Sequence, residues 1–176
     1  MKEIEVFDYS NDIMKELQKG ILITTKKDGK VNSMTVSWGH LGIEWGKPIF
    51  VCYIRTGRYT HQMLDSGEFT VNIPLDRDKN GKLINYCGSH SGRDVDKVKK
   101  LGLHLIPGIE VSAPAIQELP LTLECKIIYR QMQESSKLPL EMQEHFYPSD
   151  KDSSFGINRD QHEMFFGEII KAYIAD

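Results

Sequence analysis

Residues 20–60, GILITTKKDGKVNSMTVSWGHLGIEWGKPIFVCYIRTGRYT, decide how the chain folds. Residues 21–27 are a short β-branched, apolar run that meets Asp28-Gly29, a dipeptide whose easy access to positive φ suits a tight hairpin. The return strand, 31–38, alternates: Asn32, Met34, Val36 and Trp38 share one face, Ser33, Thr35 and Ser37 the other. One face is greasy and the other is a row of hydroxyls. A loop holding Gly39, Gly42, Gly46 and Pro48 leads to a third strand, 49–54, almost wholly apolar and so expected to be buried on both faces. That strand runs into Arg55-Thr56-Gly57-Arg58-Tyr59-Thr60, where Thr60 is a fitting N-cap for a short helix over 61–66. Helix amides, a hydroxyl and forking guanidinium groups in one place suit a phosphate. The same pattern also describes a surface arginine beside a helix cap, so these residues alone leave both readings open.

Outward from this stretch the elements are short. Residues 1–7 read as a first strand, and Ser10 caps a helix over 11–19 with Ile13, Met14 and Leu17 as its apolar stripe, stopped by Gly20. Residues 68–73 alternate as a strand with Phe69, Val71 and Ile73 inward, ended by Pro74; 76–81 read as a charged turn. Further on, Ser91 caps a helix with Asp94 as capping-box partner, and Val95, Val98 and Leu101 form its buried stripe before Gly102. Arg93 and Lys97 beside that helix start can hold an anion. From Leu121 alternation is clean, with Leu121, Leu123, Cys125, Ile127 and Tyr129 facing the core and Thr122, Glu124, Lys126, Ile128 and Arg130 mostly facing water. Residues 135–160 are polar and irregular, with a short helix over 140–146 between Pro139 and Pro148. This insert is a lid or a dimer arm, and Phe146 and Tyr147 favour a packed role. A last strand, 163–174, closes the sheet, and Gly167 marks a bend or a close backbone approach. The expected fold is mostly β: an antiparallel barrel of five or six strands with peripheral helices, one domain over residues 1–176.

Composition excludes several classes of function. A formal charge of −3 and a pI near 6.1 supply no basic footprint for nucleic acid or an anionic membrane. No apolar run approaches the ~18 residues of a membrane span, and the amino end lacks a signal-like core, so a cytoplasmic protein is expected. Cys52, Cys87 and Cys125 contain no C-x-x-C pair, and they read as reduced thiols, Cys52 and Cys125 within core strands. Cys87-x-x-His90 lacks the second pair that a structural zinc site needs, so no metal is expected. The remaining histidines are scattered singly and read mostly as surface or capping residues. No G-x-G-x-x-G dinucleotide fingerprint occurs.

Four pieces, VNSMTVSW from Val31, RYT from Arg58, SGEFTVNIP from Ser66, and CG from Cys87 with SGRDVDK from Ser91, carry a family likeness in their order and spacing, and residues 162–170 fit it too. They resemble the flavin reductase-like family of FMN-binding split barrels, in particular its flavoredoxin-type branch. The resemblance implies a Greek-key split barrel with FMN along the second strand. Thr35, Val36 and Ser37 would bond the isoalloxazine edge through backbone and hydroxyl groups, and Met34 and Trp38 would shape the apolar wall. Asn32 would anchor the ribityl side or the turn, and Arg58, Tyr59 and Thr60 would take the phosphate. Lys97 would contact the cofactor, with Cys87 and Ser91 close by. No residue reads as an obligatory general base. The resemblance further implies an oxidoreductase working by hydride or electron transfer through FMN, with NADH or NADPH as donor and a small molecule or redox protein as acceptor. A homodimer with flavin near the subunit interface is implied as well. The alternatives are an electron carrier without a nicotinamide site and a non-catalytic split-barrel binding module.

Overall fold

Asp28 and Gly29 have φ of 51° and 76°, the left-handed pair of a two-residue hairpin, and the sheet builds outward from that turn. In the computed structural model, which describes residues 1–148 and 159–175, the chain enters through β1 (Lys2–Glu3) and helix α1 (Ser10–Lys19). The first hairpin is β2 (Ile21–Lys27) and β3 (Lys30–Val36), and a second follows in β4 (Gly39–Glu44) and β5 (Lys47–Arg55). Next come α2 (Tyr59–Met63), β6 (Glu68–Ile73), α3 (Arg77–Ser89) and α4 (Lys97–Leu101). A two-residue pair, β7 (Leu105–Ile106) and β8 (Ala115–Ile116), precedes the long β9 (Leu121–Met132), α5 (Leu140–Phe146) and β10 (His162–Ile174).

The main sheet is antiparallel in the order β3-β2-β6-β9-β10-β5-β4, with β1 also on β10. Its concave face encloses Ile21, Ile23, Phe50, Phe69, Leu123 and Phe165, all fully buried. The ladder does not close, contrary to expectation: β3 and β4 are its two ends, and the seam between them leaves one edge of β3 unpaired within the sheet. The result is a mostly antiparallel, split barrel with a few peripheral helices. On the outside, α3 and α4 bury Leu22, Ile84 and Cys87 in a smaller core.

Residues 39–48 are a strand pair rather than a loop, turning at Trp45 and Gly46 with φ of 52° and 70°. Gly39 belongs to this pairing, since a Cβ there would lie 2.4 Å from the Val51 carbonyl oxygen. Residues 76–81 open α3 instead of forming a turn, with Asp76 accepting from the Lys79 amide at 3.2 Å. Ser91 caps no helix; its Oγ accepts from the Arg93 amide, and Asp96 caps the short α4. Thr60 lies inside α2, and Arg58 occupies the cap position. Ser10 likewise lies inside α1, whose Met14 is 39% exposed while Ile13 and Leu17 are buried. Of residues 1–7 only Lys2 and Glu3 pair as strand.

On β9 the polar face is not wet where the sequence puts it in water. Thr122 and Glu124 are buried, and the Glu124 carboxylate accepts from the amides of Ile109, Glu110 and Val111 and from the Tyr173 hydroxyl. Four donors replace the lost water, and the loop of residues 107–114 between β7 and β8 is thereby tied over the sheet. The close approach expected at Gly167 is present: a Cβ would meet Phe69 Cζ at 2.6 Å and Cys125 Cβ at 2.8 Å. All three cysteines are free and buried. Of the 135–160 insert, residues 149–158 lie outside the described residues.

Candidate functional site

The end of β3, the end of β5 and the α3–α4 connection converge on common cavities. Two cavities of about 290 Å³ and about 150 Å³ lie along β3 and share Met34, Arg58 and Gly88, forming one cleft. The narrower part is lined by Asn32, Tyr59, Thr60 and Lys97. Thr35, Val36, Ser37 and Trp38 line the wider part. All ten residues singled out from the sequence thus border this cleft, but their side chains are not equally free.

At the narrow end, Asn32 Nδ2 donates to Thr60 Oγ1 at 2.8 Å, and both residues are buried. Thr60 therefore accepts from Asn32, while its own hydroxyl proton has no acceptor among the described residues. Arg58 is exposed, and its guanidinium makes no hydrogen bond among the described residues. Lys97 is 4% exposed, and its Nζ donates to the carbonyls of Cys87 and His90 at 3.1 and 3.0 Å. That bonding fixes the C-terminal end of α3, where carbonyls lack helical partners. Two of its three ammonium protons are spent there, so Lys97 is first a tether of the cleft wall. Burial lowers its pKa, Cys87 opposes that, and the Arg58 charge adds to it. Burial pushes the Cys87 thiol up to about 11, against the pull of Lys97, which leaves it protonated and inert at neutral pH.

Thr35 differs from its expected role. Its hydroxyl donates to the Ile84 carbonyl, so it is committed to α3 and has no proton left for a ligand. The groups at β3 that remain are the Ser37 side chain and the backbone of an edge strand, whose unpaired N–H and C=O groups are a ready ladder for a planar polar ligand. Gly88 packs closely on this strand, a Cβ there lying 3.1 Å from Thr35 Cβ.

At the wide end the structure adds three residues that sequence reading missed as site residues: Tyr53, Arg55 and His162. Tyr53 and Arg55 alternate onto one face of β5, and Arg55 pairs with His162 across β5–β10. Arg55 donates to the carbonyls of Asp160 and Phe146 at 2.6 and 2.9 Å, clamping the arm that follows β9 against the cleft. Phe146 then meets Trp38 edge-on at 5.1 Å, and the His162 ring lies 4.7 Å from the indole. This is the packed role expected of Phe146 and Tyr147. Tyr147 donates its hydroxyl proton to Gln133 Oε1 and so receives the His162 Nδ1 proton at 2.7 Å, which leaves Nε2 as an acceptor. Burial, reinforced by Arg55, lowers the His162 pKa to about 4, so the ring is neutral at neutral pH. His61, on α2, bonds Glu163 at 2.6 Å, and Arg130 holds the same carboxylate below the usual range. His162 is buried and His61 half-buried, so these two fall outside the surface or capping role expected of most of the histidines.

Arg58, Lys97 and the unspent Thr60 hydroxyl put donors and positive charge at one end of a slot whose other end is aromatic. Among the described residues no group of three or more His, Cys, Asp or Glu side chains could hold a metal, and no helix is long and apolar enough to cross a membrane.

Residues 14–176 match the family model described as a flavin reductase like domain, and the chain belongs to that family. Its structure is similar to the flavoredoxin of Desulfovibrio vulgaris (Miyazaki F), with 26% identity and a TM-score of 0.65, covering 89% of this chain and 69% of that one. A flavoredoxin from Methanosarcina acetivorans gives 26% identity and 0.64 over 89% and 68%. An FMN-binding protein from Thermus thermophilus shares the fold at 20% identity, with a TM-score of 0.62 over 88% and 69%. No curated protein matches the sequence significantly.

Proposed function

We propose that the cleft holds FMN and that the protein is an NAD(P)H-dependent flavin or acceptor oxidoreductase. The carrying observation is the narrow end, where a buried hydroxyl keeps its proton and an arginine keeps its whole fork with no described protein partner. Unspent donors of this kind suit a phosphate dianion, which accepts several charge-assisted hydrogen bonds. Helix α2 has only five residues, so the guanidinium and the hydroxyl carry the binding rather than a helix dipole. FMN, when bound, supplies hydride and single-electron chemistry.

The chain's own residues bind and orient. Arg58, Tyr59 and Thr60 take the phosphate, and Asn32 holds Thr60 in the rotamer that aims its proton. Lys97 keeps the facing wall in place. Met34, Val36 and Trp38 supply apolar wall, and Ser37 with the β3 backbone offers donors to a ring edge, where they favour the negative charge that accompanies reduction. Neutral His162 offers Nε2 as an acceptor beside that wall. NADH or NADPH is the donor, and the acceptor is a small molecule or a redox protein. The exposed Trp38 fits completion of the site by a second copy in a homodimer, and the chain fits a cytoplasmic setting.

A second reading is a flavoredoxin-like electron carrier without a nicotinamide site, favoured by the two flavoredoxin structures at 26% identity. The test is the visible spectrum of the purified protein after FMN is added and the excess removed, followed by anaerobic NADH and NADPH titration. Bound flavin bleached by either nucleotide supports the oxidoreductase. Bound flavin bleached only by a chemical reductant supports the carrier, and a folded protein that retains no flavin sinks both.

A further inference from the structure

A large cavity, about 750 Å³, lies beside the narrow end of the cleft and is lined in part by Lys30, Val31, Asp94 and Val95. It shares Asn32, Tyr59, Gly92 and Arg93 with the narrow cavity, so these four residues are the partition between the two. The partition is closed in an unequal way. Gly92 is pressed into it, since a Cβ there would lie 2.1 Å from Asn32 Oδ1 and 2.8 Å from Tyr59 Cδ1. Arg93 fastens it from the outside: Nη1 donates to the Gly57 carbonyl at 2.9 Å, and the guanidinium sits 5.5 Å over the Tyr59 ring. The inner side of the same segment is held by the buried Lys97, whereas the Arg93 contacts are exposed to solvent.

We propose that the large cavity is the vestibule through which the flavin phosphate enters and leaves, and that Arg93 on Gly57 is the clasp that gates it. This rests on reading the cleft as an FMN site. Lys30 and Arg93 are offset by Asp94 and Asp96 in the vestibule lining, so passage is set by the clasp and not by net charge. One exposed hydrogen bond and one exposed cation–π contact are weak, so the clasp opens readily to a phosphate that takes this route. Because Arg93 spends a donor on Gly57, it acts on passage more than on the bound state. The clasp therefore sets whether FMN behaves as a resident group or exchanges during turnover.

The test is stopped-flow flavin fluorescence, with association and dilution-driven release measured for wild type, Arg93→Ala, Arg93→Lys and Val95→Trp. Arg93→Ala is expected to speed association and release together by about tenfold, equivalent to about 1.4 kcal/mol off the gating step, with Kd within about threefold of wild type. Arg93→Lys, which keeps a donor but loses the planar fork, falls between the two. Val95→Trp fills the vestibule and slows both rates with Kd little changed; Val95→Met is the milder filling should the Trp variant misfold. A rise in release alone, with Kd weakened about tenfold, overturns the proposal and makes Arg93 a direct phosphate ligand. Unchanged rates in both Arg93→Ala and the Val95 variants overturn it as well. If wild type takes no flavin, the site reading falls and the gate with it. Amide exchange then separates the two failures: faster exchange at 57–60 and 88–93 in Arg93→Ala shows that the clasp exists without a flavin to gate.

Discussion

At the narrow end of the cleft, Asn32, Thr60 and Lys97 are buried and already bonded to protein, whereas at the wide end Trp38 stands 38% exposed and Ser37 faces water. The narrow end is preorganised around Arg58: Asn32, Thr60 and Lys97 hold their orientation through hydrogen bonds that are shielded from water. The wide end has its frame fixed, by Arg55 clamping Phe146 and by the His162–Tyr147–Gln133 chain, but its binding face is left uncovered. An anchor that is finished and a platform that is open suit a ligand held by one end while its other end exchanges chemistry with a visitor. On this account, substitutions at the narrow end discriminate between ligands with and without a phosphate, and substitutions at the wide end do not.

The largest expected effect tests whether the wide-end frame is built on a neutral histidine. His162 is lowered from 6.5 to about 4 in the folded state, so the unfolded chain takes up the proton first as pH falls. Stability is full above pH 6.5 and declines between pH 6.5 and 4, by about 3 kcal/mol at most. Urea midpoints measured across that range should show the decline in wild type and a flatter profile in His162→Gln. Parallel profiles would mean that the imidazole is not held neutral.

Next in size is Thr60→Val, which keeps the shape but removes both the acceptor for Asn32 and the proton aimed into the cleft. Leaving the buried Asn32 amide unpaired costs about 2 kcal/mol of stability, and FMN affinity should fall about tenfold with riboflavin affinity nearly unchanged. Calorimetry with both ligands checks this, and an equal loss for the two would erase the distinction between the ends. Smallest is Trp38→Ala. The indole is half out of water, so stability should change by less than about 0.5 kcal/mol, while FMN and riboflavin should weaken together by about fivefold through lost stacking. A loss confined to FMN would place the phosphate at the wrong end.

How much of this was legible in the sequence follows from which forces act locally. The Asp28-Gly29 hairpin, β6 and α5 were readable because turn chemistry, period-two alternation and flanking prolines are properties of adjacent residues. β4 was not, because Gly39 serves a close approach to Val51 that appears only once β5 lies alongside. The same limit hid the buried role of Glu124, whose four donors arrive from residues 109–111 and from Tyr173. At the site, the run from Asn32 to Trp38 was legible as a group, but Thr35 and Ser37 looked equivalent. Only the packing of α3 on β3 separates them, by committing the Thr35 hydroxyl to Ile84. Arg55 and His162 meet through the β5–β10 register, which depends on sheet order and leaves no mark in either local sequence.

A phosphate anchor built on Arg58 at the narrow end is tested most directly by a thermodynamic cycle. FMN and riboflavin differ only by the phosphate, so their dissociation constants are measured for wild type and for Arg58→Ala. Wild type is expected to prefer FMN by on the order of 100-fold, and Arg58→Ala to remove most of that preference while leaving riboflavin unaffected. Equal binding of FMN and riboflavin by wild type, or a preference that survives in Arg58→Ala, would contradict it.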